Sequence, residues 1–369
     1  MRILLLSNPG SAHTIKWATS LAEQGLDLCL FGLQNYDVSL YENYKNIQVY
    51  SLRLPSSIAE VRATKIAKLI YLKAVPRLRR MIVDFQPDIL HAHFASSYGL
   101  IGALSGFHPY LVSVWGADIF EFPRKSFVHR ALIKFTLRKA DSVLSTSRVM
   151  AKETTRYTEK PIEVTPFGID LERFKPRAVT SLFAKDDIVI GTVKGLDKTY
   201  GVEYLIQAFG ILAKKYPNLP LKLLIVGGGP LEMPLKKLAK ELGIENRTTF
   251  AGRVHYDQIV DYDNMLTIFV ALSAESESFG VAILEASACE KPVVVTNIGG
   301  LPEVVEHRVT GMVVPPQHPE AAAAAIEQLI HDEDLRWKMG KAGRERVKRL
   351  YDWNVNVAQM IRIYRDVAR

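Results

Sequence analysis

Two glutamates, Glu277 and Glu285, stand eight residues apart in the stretch from Glu275 to Val294, ESESFGVAILEASACEKPVV. Phe279 and Gly280 lie between them, and an apolar run follows. Carboxylates accept hydrogen bonds from hydroxyl groups. The unpaired N–H groups and partial positive charge of a helix start attract anions. Acids on both sides of a loop that feeds a helix therefore suit a ligand with hydroxyls at one part and negative charge at another. A plainer reading, acids favouring a helix dipole, accounts for Glu277 but not for the whole arrangement.

The elements that must position these acids are legible on either side. LTIFVALS reads as a buried strand, AESESFG as its carboxyl-end loop, and VAILEASACE as a helix with an apolar face. The same alternation runs through the whole chain. MRILLLS, LDLCLFG, IQVYSL, DILHAHF, YLVSVWG, DSVLSTS and IEVTPFG predict strands in the first half. IVIGTV, LKLLIVGGG, TTFAGRV, LTIFVALS, PVVVTN and GMVVPP predict them in the second. Continuous apolar strands separated by helix-length segments argue for parallel, doubly wound α/β sheets. The chain's 369 residues exceed what one core serves. Two Rossmann-like domains facing across a cleft follow, with ligands outside the carboxyl ends of the strands. The expected boundaries are 1–175 for the first domain and 176–350 for the second. Residues 351–369 form a helix expected to pack back on the first domain.

Composition excludes several classes. With 48% hydrophobic and 23% charged residues the chain reads as an ordinary globular protein. MRILLLSNPG is too short for the apolar region of a signal peptide and reads as a first strand. No run of about 18 apolar residues predicts a membrane span. Cys29 and Cys289 are too few for a disulfide framework or a metal site, and suit a reducing compartment. Charge is unevenly placed. Residues 1–175 hold 23 Lys and Arg against 15 Asp and Glu, and the remainder holds 24 of each. A basic first half suits phosphates or an anionic membrane, or is simply a solvated surface.

The opening stretch resembles the signature of retaining glycosyltransferase family 4, whose members have the GT-B fold. The resemblance rests on Glu277, Phe279, Gly280, Glu285, Ala286, Ala288, Cys289, Pro292, Val293 and Val294. Thr165-Pro-Phe-Gly-Ile-Asp170 with Arg173-Phe174, Gly299-Gly300-Leu-Pro-Glu303 and Thr310-Gly311 extend it over nearly the whole chain. It departs at Glu290, where the family usually has Gly. The family's basic pair is replaced by GTVKGLDKTYG, leaving Lys194 and Lys198 both open as candidates. A histidine common after the fifth strand is replaced by Trp115-Gly-Ala-Asp118.

The resemblance implies a nucleotide-diphosphate sugar as co-substrate, with no metal or other cofactor. Glu285 would take the ribose hydroxyls and Glu277 the donor sugar. Lys198, or failing it Lys194, with the N–H groups near Phe279 and Gly280, would neutralise the departing diphosphate. Arg253 and Val254 form either a base-contacting loop or a plain strand end.

In the first domain, Gly10 and Ser11 close the first strand, and His13 opens the next helix as an acceptor contact or a structural residue. Alternation puts His91 and His93 on one face, with His93 nearer the cleft. Asp118 is the strongest first-domain candidate for sugar or acceptor contact. Gly227-Gly-Gly-Pro230 lacks the third glycine of a dinucleotide fingerprint, which argues against an oxidoreductase.

The function expected is transfer of a sugar from the nucleotide-sugar to a glycan or lipid-linked acceptor hydroxyl, with the anomeric configuration retained. A nucleotide-sugar-binding subunit without activity, or a GT-B epimerase or phosphorylase, is the alternative. Nucleic acid is not an expected partner. An anionic membrane is, because Val61–Val83 carries Arg62, Lys65, Lys68, Lys73, Arg77, Arg79 and Arg80 with no acid among interleaved aliphatic residues. Pro76 is expected to break that stretch as a helix. The expected location is the cytoplasm, with peripheral attachment to the inner face of the membrane.

Overall fold

The computed structural model describes residues 1–54, 65–275 and 277–369. They divide into two compact units, Met1–Pro166 with Asn356–Arg369, and Phe167–Val355.

The first unit runs β1 (Arg2–Leu6), α1 (Ala12–Glu23), β2 (Asp27–Gln34), β3 (Ile47–Leu54), α2 (Lys65–Phe85), β4 (Ile89–His93), α3 (Tyr98–Ser105) and β5 (Tyr110–Val114). It continues through α4 (Ala117–Phe120), α5 (Phe127–Lys139), β6 (Ser142–Ser145), α6 (Arg148–Thr154) and β7 (Ile162–Val164). The sheet order is β3-β2-β1-β4-β5-β6-β7, and every neighbouring pair is parallel. Ile3 to Leu6 and all of β4 and β5 are buried, because helices cover both faces of the sheet. The chain winds outward from β1 through β2 to β3, then returns to β4 on the other side. The carboxyl ends of β1 and β4 thus flank a reversal of winding, the usual place for a ligand.

Helix α2 continues through Pro76, contrary to the expected break. Proline removes one N–H donor, but Ala74, Val75, Leu78 and Phe85 are buried around it and hold the neighbouring turns to the core. Of the basic stretch, Arg62 lies outside the described residues.

The second unit runs β8 (Ile188–Val193), α7 (Val202–Lys215), β9 (Leu221–Val226), α8 (Glu232–Glu241), β10 (Thr248–Gly252), α9 (Ile259–Met265) and β11 (Ile268–Ala271). It goes on with α10 (Val281–Ala288), β12 (Val293–Thr296), α11 (Leu301–Val304), β13 (Gly311–Val314), α12 (Pro319–His331) and α13 (Glu333–Leu350). Its parallel sheet has the order β10-β9-β8-β11-β12-β13, with the winding reversal between β8 and β11. The last helix is α14 (Trp353–Val367).

The division between units falls nine residues before the expected position, after Pro166 rather than at 175. Backbone pairing explains why 167–175 goes with the second unit. Ile169 donates its N–H to the Tyr351 carbonyl at 2.7 Å and accepts from the Trp353 N–H at 3.0 Å. Residues 356–369 go with the first unit, where Tyr364 Oη lies 2.7 Å from His91 Nδ1. The other ring nitrogen of His91 lies 2.8 Å from Ser113 Oγ.

Burial lowers the pKa of His91 to about 3, against about 6.5 in an unfolded chain. As pH falls through about 6.5 the unfolded chain takes up this proton and the folded chain does not, so stability is full above that value and declines below it. The urea midpoint should fall between pH 7.5 and pH 5, with His91 accounting for about 2 kcal/mol of the loss. A His91→Asn variant should show a smaller fall. The same pH dependence in both proteins would remove His91 as its source.

Candidate active site

In the second unit, the loops after β8, β9 and β11 bring four predicted or neighbouring groups together. Lys194 directly follows β8, and its N–H donates to the Val226 carbonyl of β9 at 2.9 Å. Its ammonium pairs with the Glu277 carboxylate, and the two side chains are only 10% and 11% exposed. The other Glu277 oxygen accepts from Ser273 Oγ at 2.6 Å. The Lys194 ammonium also sits 4.6 Å from the centre of the Tyr200 ring, close enough for cation–π attraction. Burial, more than the neighbouring charges, holds the Tyr200 hydroxyl above its usual pKa, so it remains a donor.

Two glycines allow this crossing of loops. Gly227 has φ +139°, and a Cβ there would lie 1.9 Å from the Lys194 carbonyl oxygen. Gly299 has φ +54°, and a Cβ there would lie 2.1 Å from the Glu277 carbonyl oxygen. The glycine-rich turn thus lets the backbone approach the lysine loop.

Glu285 lies in α10, 5% exposed. It accepts a hydrogen bond from Tyr256 Oη at 3.2 Å. Burial, then the charge of Glu285, raises the Tyr256 pKa well above its usual value. Arg173 caps the other side of that phenol, 4.3 Å above the ring, and pairs with Asp257. Asp263 is also buried nearby. Burial first, and then the charge of Glu285, raises its pKa and favours the neutral acid. Neither of its carboxyl oxygens has a hydrogen-bond partner among the described residues.

Phe279 is a core anchor, 1% exposed, with its ring 5.5 Å from Tyr351 and 6.1 Å from Phe167. Gly280 is the N-cap of α10, at φ +101°, with no side-chain cap. The first N–H groups of such a helix have no intrahelical acceptor. Arg253 is exposed, just beyond β10, with Val254 half-buried beside it. A Cβ on Gly228 would touch the Arg253 Cβ at 3.4 Å.

Lys198 occupies a different setting from Lys194. It is exposed at the start of a short turn, Lys198–Tyr200, and lines a cavity of about 410 Å³ with Glu203, Tyr204 and Glu275. Among the described residues it makes no ion pair. The structure therefore brings Lys194, not Lys198, onto Glu277.

In the first unit, Gly10, Ser11, His13 and His93 gather at the winding reversal. The Gly10 N–H donates to Asn8 Oδ1 at 3.1 Å, and Ser11 is the N-cap of α1. His93 Nδ1 lies 3.0 Å from Ser7 Oγ, which lies 2.7 Å from Thr14 Oγ1. The ring of Trp115 is 4.2 Å from that of His93 and 6.0 Å from that of His13. Burial and Lys16 lower the pKa of His13 to about 4, and burial with the neighbouring histidines holds His93 well below its usual range. The cluster is neutral at pH 7, so it offers hydrogen bonds and an aromatic face rather than charge.

Asp118 does not join it as a contact residue. It is 1% exposed, and its oxygens accept from the N–H groups of Ala95 at 2.8 Å, Gly116 at 2.8 Å and Trp115 at 3.2 Å. Its carboxylate is occupied in tying the loops after β4 and β5 together, and so in positioning Trp115.

Sequence reading did not single out Ser273, Tyr200, Tyr256 or Asp263. Ser273 and Tyr200 carried a usable signal, since both lie in loops at strand ends already identified. Nothing in sequence joins Tyr256 to Glu285, because their contact depends on how the loop after β10 packs on α10.

A description of "glycosyl transferases group 1" matches residues 176–346, and one of "glycosyl transferase 4-like" matches residues 2–147. The N-acetyl-alpha-D-glucosaminyl L-malate synthase of Bacillus anthracis is 31% identical over 294 residues, covering 76% of this chain and 75% of that one. A GDP-mannose-dependent alpha-(1-6)-phosphatidylinositol monomannoside mannosyltransferase of Mycobacterium tuberculosis is 32% identical over 222 residues, 56% of this chain and 57% of its own length. Among solved structures, a sucrose-phosphate synthase from Thermosynechococcus elongatus superimposes with a TM-score of 0.84 at 23% identity, over 99% of this chain and 98% of that one. Fold and matches together define a glycosyltransferase of the GT-B class. Within it, the chain belongs to glycosyltransferase family 4.

If the Lys194–Glu277 pair holds this site together, breaking it on one side strands a charge. Lys194→Met should lower stability in urea by about 1–3 kcal/mol, the cost of an unsatisfied buried group. The double variant Lys194→Met/Glu277→Gln should recover most of that loss. Single and double variants as stable as the parent would show that the pair contributes nothing to the fold.

Proposed function

We propose that this glycosyltransferase moves a sugar from a nucleotide-diphosphate sugar to an acceptor hydroxyl, with retention of the anomeric configuration. The observation that carries the reading is the buried Lys194–Glu277 pair, braced by Ser273 and Tyr200, at the β8/β11 winding reversal. Bond breaking at the anomeric carbon leaves negative charge growing on the diphosphate. A fixed ammonium and the free N–H groups at the start of α10 stabilise that charge more as it develops, which is how electrostatic preorganisation accelerates a step. Lys194 is the first candidate for this role, with Lys198 second. That no metal takes part in this step is what the family resemblance implies.

Glu277 would take hydroxyls of the donor sugar with the oxygen capacity left beside Lys194 and Ser273. Glu285, oriented by Tyr256, would take the ribose hydroxyls, with Arg253 and Val254 toward the base. The relative from Mycobacterium tuberculosis is named for GDP-mannose and a phosphatidylinositol monomannoside, which supports both the donor class and a lipid-linked or glycan acceptor. Gly10, Ser11, His13 and His93 would meet that acceptor through neutral hydrogen bonds. No helix among the described residues is long and apolar enough to cross a membrane. We place the protein in the cytoplasm, held peripherally at the inner face of the membrane through its basic first unit.

Separate roles for the two glutamates predict separate losses. Glu285→Ala should weaken binding of free nucleotide diphosphate about 10- to 150-fold in calorimetry, the value of a charged hydrogen bond of about 1.5–3 kcal/mol. Glu277→Ala should leave that binding within about threefold but lower acceptor-dependent release of nucleotide diphosphate about 100-fold or more. Parental binding and turnover in both variants would reduce the acids to helix decoration. Nucleotide binding without acceptor-dependent release in the parent protein would favour a binding subunit instead.

A further inference from the structure

Helix α5 begins with two apolar side chains in solvent, Phe127 at 84% exposure and Val128 at 48%. A phenylalanine this exposed is a departure from ordinary burial, and here it sits beside charge of one sign. Residues 122–140 carry Arg124, Lys125, Arg130, Lys134, Arg138 and Lys139 and no acid. Arg124 pairs with Glu153. Lys125, Arg130, Lys134, Arg138 and Lys139 form no ion pair among the described residues. The opposite face of α5 is ordinary core, with Ile133, Thr136 and Leu137 buried.

A neighbouring helix extends the same character. Helix α3 packs against both α2 and α5, so the three share one face of the sheet. The described part of α2 exposes Lys73, Arg77, Arg79 and Arg80. Only Arg80 there faces an acid, Asp84 at 3.8 Å. Arg79 instead donates to the carbonyls of Leu104 and Ser105 at the end of α3, at 2.8 and 3.1 Å.

We infer that this helix layer docks the protein on an anionic phospholipid bilayer, with Phe127 and Val128 entering the interface and the surrounding cations meeting lipid head groups. The chemistry is that of interfacial binding, where apolar insertion and attraction to anionic lipid act together. A soluble polyanion would account for the cations but not for an exposed phenyl group among them. The helices run antiparallel to the strands they follow. The start of α5 therefore lies at the end of the sheet that holds Gly10, His13 and His93, and docking there brings that end to the lipid surface. The inference names a surface for the membrane partner proposed above, and stands without the transfer reaction because binding to lipid needs no substrate.

Co-sedimentation of the full chain with vesicles tests it. Vesicles of phosphatidylcholine with phosphatidylglycerol should pellet the protein at low salt, and those of phosphatidylcholine alone should not. Pelleting should fade as salt approaches about 0.5 M, where screening acts within a few ångströms. Phe127→Ser should weaken anionic-vesicle affinity about tenfold, the scale of burying one large apolar side chain. Lys125→Glu/Arg130→Glu should weaken it at least as much. Unchanged thermal melting would show that these exposed substitutions leave the fold intact. No pelleting with anionic vesicles, or equal pelleting with neutral ones, would overturn the inference. Full affinity in Phe127→Ser would overturn this surface as the docking face. Transfer to a soluble acceptor should persist in both variants, so loss of docking and failure of the transferase reading give different results.

Discussion

The contact on which the candidate site of the second unit depends is an ammonium against a carboxylate, both almost withdrawn from solvent. Lys194 and Glu277 come from loops after β8 and β11, strands distant in sequence but paired in the sheet. Neither charge could be buried alone without a large desolvation cost. The pair is further held by Ser273 on one oxygen of Glu277 and by the Tyr200 ring beneath the ammonium. Close backbone approaches at Gly227 and Gly299 supply the room. The charges are therefore oriented before any ligand arrives, which favours a site that stabilises developing charge over one that must reorganise.

The first unit handles polarity in the opposite way. Its strand-end cluster is rich in imidazoles, yet burial keeps His13, His91 and His93 neutral, helped by Lys16 at His13 and by the neighbouring histidines at His93. Hydroxyls of Ser7, Thr14, Ser113 and Tyr364 accommodate the ring nitrogens or extend the network. Asp118 spends its carboxylate on backbone N–H groups, so that acid is a brace. A neutral, partly aromatic surface suits an uncharged hydroxyl-bearing molecule. The basic character that marks this half of the sequence lies instead on its outer helices, where α5 leaves Phe127 and its neighbouring cations in solvent.

Both sheets were legible in the sequence, because a strand buried on both faces must be apolar throughout. Ile3–Leu6 and Val293–Val295 leave little choice of element. The acids around Phe279-Gly280 were equally plain, since loop, helix entrance and carboxylates lie within one short segment. Helix α2 was less so. Pro76 is a local breaking signal, and burial of Ala74, Val75 and Leu78 overrode it.

Sequence by itself determined the doubly wound α/β class, the family signature and the positions of Glu277 and Glu285. These follow from patterns within a few residues, where side-chain type and spacing act directly. It left Lys194 and Lys198 both open, with Lys198 the first choice, and made Asp118 a ligand contact. Only the tertiary structure separated the two lysines, gave Glu285 its tyrosine and turned Asp118 inward to backbone donors. Each of those outcomes depends on which strand ends become neighbours and how much water remains between them. Pairing across 83 residues, as between Lys194 and Glu277, is decided by sheet order and burial, which no local pattern encodes.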